Sequence, residues 1–258
     1  MTPFLLPVAS SDPLEHIFDH PLLKVGGMPV ITMHVVMLWV AAALCLLLFP
    51  VIVRRIARDG TGGRLATFFE AILLFIRDEM ARPFMGKDGD RFLPIIWTFF
   101  FFILFCNLLG MIPGSATATG NISVTAGLAA VSFVTYHSIG IAHNGFFGYL
   151  KANLLVGPPF LWPLMIIVEL AGHAIRPCAL CIRLFANMVA GHTMLAVIIG
   201  FALALRWDNL LAGSGIALVS VVSAVLLNFL ELLVAMIQAF IFTFLTTVFL
   251  SMAVHPEH

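Results

Sequence analysis

Apolar residues run through this chain in long blocks, and polar residues mark where the blocks end. The first block covers residues 30–53 and stops at Arg54, Arg55 and Arg58. Two more cover 92–112, opened by Pro94 and closed by Asn107, Gly110 and Pro113, and 122–142, which is rich in small residues. A bilayer's hydrocarbon core takes about 20 helical residues, so each of these predicts one transmembrane helix. Residues 64–84 follow another rule. Arg64, Glu70, Arg77, Asp78 and Arg82 fall on one helical face, and Leu65, Phe68, Phe69, Ile72, Leu73, Ile76 and Met80 on the other. That periodicity predicts an amphipathic helix lying in the interface. A short additional span is the competing reading, and its charges argue against it. Turns are expected at 59–63 and 113–121, and 143–159 reads as a polar loop ending in Pro158-Pro159.

The last two blocks, 160–206 and 212–253, are too long for ordinary spans. At 1.5 Å per residue each helix runs about 60–70 Å, against a core of about 30 Å. Ordinary tilt does not absorb such a mismatch. No Pro or Gly cluster supplies a turn in mid-block, so the expectation is a steeply inclined antiparallel hairpin. Arg206-Trp207-Asp208-Asn209 and Gly213-Ser214-Gly215 are expected to form its turn. The predicted fold class is therefore an all-α polytopic membrane protein with about five transmembrane helices and one interfacial helix. Residues 1–29 are expected outside the bilayer and 30–258 as a single membrane domain.

Composition supports this reading. Hydrophobic residues make up 61% of the 258 and charged residues 10%, where a soluble domain carries about 25% charged residues. Mean hydropathy is +1.08. Formal net charge is zero, which gives no reason to expect a nucleic-acid partner. Asp12, Glu15 and Asp19 precede any apolar stretch, so no cleavable signal is expected at the start. Cys45, Cys106, Cys178 and Cys181 all lie in apolar runs and read as packing residues, the Cys178/Cys181 pair included. The glycines at 59–63 lack the lysine and hydroxyl of a phosphate loop. Arg54, Arg55, Arg58, Arg64, Arg77, Arg82, Lys87 and Arg91 are eight of the thirteen basic residues, and positive charge stays on the inner side of a membrane. The N-terminus and the 113–121 turn are then outside, and the 143–159 loop and the C-terminus inside.

Charge inside the apolar blocks points to chemistry. The block 160–206 contains Glu169, His173, Arg176, Arg183, Asn187 and His192. An arginine at the centre of a membrane helix costs about 2.5–3.5 kcal/mol on the insertion scale, so such residues default to function. Arg176 also fits a snorkelling reading, in which it reaches the inner interface. Arg183 does not, because its flanks are apolar for a long way in both directions. Glu169, Arg176 and Arg183 stay within about 40° of one another around the helix, and His173 and Asn187 within about 80°. His192 points nearly the opposite way. On the last block, Glu231 and Gln238 share a face. Folding the two blocks antiparallel about residue 211 sets His192 opposite Glu231 and Gln238 level with Arg183. A histidine beside a carboxylate makes a proton relay, because imidazole changes charge near neutral pH. A buried pair that only locks the hairpin is the alternative.

The stretch Arg176-Pro-Cys-Ala-Leu-Cys-Ile-Arg-Leu-Phe-Ala-Asn-Met-Val-Ala-Gly-His192 resembles the signature of subunit a of F-type ATP synthases. So does Gln238-Ala-Phe-Ile-Phe-Thr-Phe-Leu245, followed by Ser251-Met-Ala253, and more weakly Asn107-Leu-Leu-Gly-Met-Ile-Pro113. The resemblance covers essentially the whole chain. It implies a non-catalytic, proton-translocating stator subunit with two offset aqueous half-channels beside a rotating carboxylate ring. Arg183 would be the stator charge that favours the ionised ring carboxylate and blocks a short circuit. Asn187, His192, Glu231 and Gln238 would line the outer half-channel, and Glu169 the inner one, with His173 and Arg176 close by. Many bacterial members carry glutamate where this chain has His192 and histidine where it has Glu231, and the swap keeps one acid beside one imidazole. Many also carry serine where this chain has Ala179. The implied partners are the c-ring, the peripheral-stalk b subunits, the rest of the F1Fo complex, the lipid bilayer and protons. No cofactor or metal is implied. The implied location is a bacterial inner membrane, with the mitochondrial inner membrane as alternative. Two other classes are weighed against this. A haem- or quinone-binding subunit would need facing histidines, for which His34, His137 and His173 are the candidates. A secondary ion transporter would show repeats and broken helices, and no repeat is visible.

Overall fold

A computed structural model describes residues 21–25, 28–59, 63–112, 117–154, 159–204 and 210–254. A short antiparallel hairpin, β1 (Pro21–Val25) and β2 (Met28–Thr32), precedes the helices. Helix α1 spans Met33–Asp59, α2 Gly63–Phe75, α3 Arg82–Met85, α4 Leu93–Gly110, α5 Ile122–Asn144, α6 Phe146–Leu154, α7 Trp162–Ala204 and α8 Leu210–Val254. Among the described residues, five stretches are long and apolar enough to cross a membrane: Met33–Val51, Leu93–Gly110, Ile122–Asn144, Trp162–Ile198 and Leu218–Val254. The chain is an all-α polytopic membrane protein, as its pattern predicts.

Local chemistry sets the element boundaries. Pro94 sits in the first turn of α4, where a missing N–H costs nothing. The side chain of Asn121 caps α5 by accepting a hydrogen bond from the Ser123 amide at 2.9 Å. Gly145, at φ 71°, ends that helix in a conformation that suits glycine. The amphipathic segment after the first span is continuous from α2 through a π-helical turn at Ile76–Ala81 into α3. It buries Ile76, Met80, Ala81 and Met85 and leaves Arg64, Glu70 and Asp78 exposed. Its charges form a surface chain: Arg77 Nε to Asp78 at 2.9 Å, Arg82 to Asp78 at 3.4 Å, and Arg82 to Asp90 at 3.1 Å.

The core is built on α4. Its Ile96, Phe99, Phe100, Phe101, Ile103 and Leu104 pack with Ile76 and Met80 on one side and with Leu180, Leu184, Ala239 and Phe242 of the long helices on the other. In lipid, burying apolar surface between helices gains little, so close packing and interhelical hydrogen bonds hold the bundle. Ser132 and Thr246 make one such bond at 2.9 Å between α5 and α8. Asn107 makes two more, accepting from the Thr119 hydroxyl at 3.1 Å and donating to the Ala235 carbonyl at 3.4 Å.

Several expectations need correction. The first span begins at Met33 rather than residue 30, because Met28–Thr32 pairs with Pro21–Val25. Gly213, Ser214 and Gly215 are helical within α8, so they do not form the hairpin turn. Arg206, Trp207, Asp208 and Asn209 lie outside the described residues, as do 60–62 and 113–116 of the other two turns and all of 1–20. The 143–159 segment holds helix α6, which its glycines and closing prolines hide. Tyr149 faces inward from it while Phe146 and Phe147 are exposed. Pro177 lies inside α7 without ending it; having no N–H, it leaves the His173 carbonyl without its usual helical donor.

Candidate functional site

Helices α7 and α8 hold 43 and 45 residues and pack antiparallel. Two contacts set their register. The Asn187 side-chain amide donates to Gln238 Oε1 at 2.8 Å. His192 Nε2 lies 3.6 Å from Glu231 Oε1. The pairing of His192 with Glu231 matches the sequence arithmetic, while Gln238 meets Asn187, one turn beyond Arg183. Gly191 makes the second contact possible: a Cβ there would stand 2.8 Å from Glu231 Oε1.

One end of this line holds buried polar groups. Glu231 is 7% exposed, and its Oε1 has no hydrogen-bond partner among the described residues. The Gln238 side-chain nitrogen is buried without one as well. Orphaned polar atoms of this kind are rare in cores and mark places built for water, ions or chemistry. Thr117 adds a switchable element. Its hydroxyl lies 2.5 Å from His192 Nε2 and 3.4 Å from the Gly110 carbonyl. With its proton on the carbonyl it accepts from His192; turned the other way it donates to His192. The Thr117 backbone carbonyl in turn accepts from His34 Nδ1 at 2.8 Å. Sequence reading assigned nothing to Thr117 and offered His34 only as a haem ligand, because their link to His192 is long-range. The Asn-Leu-Leu-Gly-Met-Ile-Pro motif was the nearest signal, since its Gly110 leaves room for the Thr117 side chain.

Further along α7, Arg183 is exposed, and no hydrogen bond or ion pair ties it to another described residue. The helix around it is buried on one side through Leu180, Cys181 and Leu184, so the guanidinium leaves the bundle on the other. Nearer the start of α7, Arg176 and Glu169 approach at 3.8 Å. The Arg176 guanidinium stands 5.2 Å over the Phe249 ring, and His173 Nδ1 donates to the Glu169 carbonyl at 2.7 Å. Thus Glu169, His173 and Arg176 form one group, and Asn187, His192, Glu231 and Gln238 another. Arg183 stands between the two along α7.

The haem geometry is not met. The His137 and His173 rings stack face to face, 5.1 Å apart and inclined by 28°. Bis-histidine ligation needs two nitrogens converging from opposite faces of a porphyrin. Rings stacked in contact in this way leave no space for a porphyrin between them. All four cysteines are free; Cys178 is exposed, and Cys181 is buried with its sulfur 3.4 Å from the Thr125 hydroxyl. No group of three or more metal-ligating side chains occurs among the described residues.

Comparison with known proteins gives one consistent result. The family model described as ATP synthase A chain matches residues 35–251. The chain is 41% identical to ATP synthase subunit a of Chloroherpeton thalassium, over 92% of this chain and 71% of that one. It is 42% identical to ATP synthase subunit a of Myxococcus xanthus, over 95% of this chain and 80% of the relative. It is 39% identical to the subunit a of Pelodictyon phaeoclathratiforme, over 97% of this chain and 75% of that one.

Proposed function

Because the chain belongs to the ATP synthase A chain family, we propose that it is the stator that carries protons to and from a rotating ring through two offset half-channels. The single observation that carries this reading is the line of polar residues on α7 and α8, broken by one exposed, unpaired arginine. On the outer side, Glu231 and His192 exchange the proton, Thr117 turns between donor and acceptor, and Asn187 and Gln238 lead toward the ring. On the inner side, Glu169, His173 and Arg176 line the second half-channel. Arg183 faces the ring.

The unpaired state of Arg183 suits this role. A guanidinium tied to its own subunit would have little attraction left for a passing carboxylate. Left free, it attracts one at 4 Å by about 4 kcal/mol at an effective dielectric of about 20. That is enough to favour the ionised ring carboxyl and small enough to release it. A fixed positive charge between the half-channels also repels a proton trying to pass straight through. Each proton that crosses about 100 mV supplies about 2.3 kcal/mol to rotation.

Further parts of the reading rest on family membership. The partners are the c-ring, the peripheral-stalk b subunits and the rest of the F1Fo complex, with ATP made or hydrolysed on other subunits. The interfacial segment from α2 to α3 and the first span help to dock the stalk. The membrane is a bacterial inner membrane, with the basic face of residues 54–91 inside. The test is Arg183→Ala in the assembled complex, with ATP-driven proton pumping by membrane vesicles measured beside ATP hydrolysis. Pumping is expected to vanish while the complex still assembles. Persistent pumping would make Arg183 a structural charge and sink the half-channel reading.

A further inference from the structure

Glu231 Oε1 is buried without a hydrogen-bond partner among the described residues, and His192 Nε2 stands 3.6 Å from it. A stranded acceptor is costly, so a small swing of the imidazole onto the carboxylate is favoured. A direct bond of that kind would be a buried lock and no longer a relay. Thr117 holds the imidazole off. Its hydroxyl lies 2.5 Å from the same Nε2. An imidazole nitrogen carries one hydrogen or one lone pair in the ring plane, so it makes one good bond at a time. While Thr117 occupies Nε2, Glu231 does not.

The hydroxyl is aimed from the backbone. Thr117 is buried and leads into the helical turn Ala118–Gly120, whose Ala118 and Thr119 are fully buried. Gly110 of α4 leaves the space that the Thr117 side chain fills: a Cβ there would stand 2.6 Å from Thr117 Cγ2. The Thr117 carbonyl accepts twice. The Gly120 amide donates to it at 2.9 Å and closes the turn. His34 Nδ1, in the first turn of α1, donates to it at 2.8 Å and ties the turn to the bundle. Further into the turn, Asn107 accepts from the Thr119 hydroxyl at 3.1 Å, so the two anchors hold different residues. His34 is itself buried. A carbonyl only accepts, so this Nδ1 carries its hydrogen whatever the charge of the ring, and the contact asks no change of charge of His34.

We propose that His34 is a positioning residue of the outer half-channel: through the Thr117 backbone it keeps the Thr117 hydroxyl on His192, and so keeps His192 from closing onto Glu231. The proposal rests on the half-channel reading above and extends it to the first span, to which that reading gives only a part in docking the stalk. His34 carries no proton along the path and acts only through Thr117. Without its bond, the Thr117 carbonyl keeps only the bond inside its own turn, and nothing from α1 holds that end of the turn toward α7. His192 then swings onto Glu231, the two satisfy each other, and the proton stays between them.

The test measures the rate of ATP-driven acidification of inverted vesicles carrying the assembled complex, with ATP hydrolysis and assembly as controls. Thr117→Val keeps the shape and removes the hydroxyl. His34→Leu keeps much of the bulk and removes the donor. Each is expected to slow pumping about three- to tenfold, the shift in population that one lost hydrogen bond produces. Thr117→Ser returns the hydroxyl, and His34→Asn returns a neutral N–H donor at the same branch of the side chain; each should recover most of the rate. Both residues act on one contact, so the double variant His34→Leu with Thr117→Val should pump no more slowly than Thr117→Val alone. Native pumping in His34→Leu overturns the proposal. So does a His34→Asn variant as slow as His34→Leu, which makes the ring and not its N–H the part that counts, and so do losses that multiply in the double variant. If His34→Leu does not assemble, Thr117→Val still decides: native pumping there overturns the proposal, since His34 acts only through that hydroxyl. Arg183→Ala in the same vesicles separates the two readings. If Arg183→Ala still pumps, the half-channel reading fails whatever the other variants do. If Arg183→Ala is silent and Thr117→Val is native, only the present proposal fails.

Discussion

At the scale of single residues, the outer pocket depends on close approach. Gly191 leaves no Cβ between α7 and the Glu231 carboxylate. Gly191→Ala is therefore expected to push Glu231 away from His192 and to cut proton pumping while ATP hydrolysis by the assembled complex continues. The His192–Glu231 contact at 3.6 Å also predicts the outcome of exchanging its partners. His192→Glu or Glu231→His alone pairs like with like; the double exchange restores one acid beside one base. Pumping should be lost in each single variant and partly regained in the double, and no recovery would show that the two do not act as a pair. Asn107 is a different case, buried and doubly bonded. Asn107→Leu strands the Thr119 hydroxyl in a dry interior, at about 1–3 kcal/mol for the unsatisfied group, while the Ala235 carbonyl keeps its donor within α8. A lower melting temperature of the detergent-solubilised complex would register it.

At the scale of elements, the hairpin register is the measurable quantity. Asn187 opposite Gln238, and His192 opposite Glu231, set α7 and α8 antiparallel in one register. Cysteines at 187 and 238, in a background without the native ones, should crosslink on oxidation, whereas 183 with 231 should not. The interfacial segment has its own pH dependence. Hydrogen bonds from Arg77 to Asp78 and from Arg82 to Asp90 hold both carboxyls below the ordinary aspartate value of 3.8. A group whose folded pKa is depressed contributes stability above its unfolded value and loses it as pH falls through the folded one. Hydrogen exchange of residues 76–91 should thus be unchanged from neutral down to about pH 4 and should rise only below it. Both pairs are exposed, so the effect is small and fades with salt.

At the scale of the whole molecule, the basic stretch 54–91 predicts which side of the membrane is inside. Asp88 and Lys151 lie on the same side of the bundle, near the inner ends of α5 and α8, which Asn144 ties together by donating to the Ala253 carbonyl at 2.9 Å. Ile122 is exposed at the opposite end of α5. In inverted vesicles, Asp88→Cys and Lys151→Cys should react with a membrane-impermeant maleimide and Ile122→Cys should not; the reverse pattern would invert the topology. The same view explains the polar line. Glu231 and Gln238 can be buried because the bundle's core, built on α4, covers them from behind, and Arg183 can stay free because its side of α7 has no neighbour among the described residues.

Sequence by itself determined what depends on composition and period. Long apolar blocks dictate spans, an apolar face opposite five charges dictates an interfacial helix, and spacing along two helices sets His192 against Glu231. These are legible because helical geometry repeats every few residues and a bilayer admits few alternatives. Tertiary structure decided what depends on contacts between distant segments. Thr117 reaches His192 across 75 positions. Tyr149 emerges from a stretch whose glycines and prolines read as loop, and meets a histidine on another helix. Asn187 rather than Arg183 meets Gln238 although His192 still meets Glu231, because which side chain reaches across depends on how each helix is rotated in the packed pair. No local pattern encodes such meetings, since each is fixed by how packed helices slide and rotate against one another.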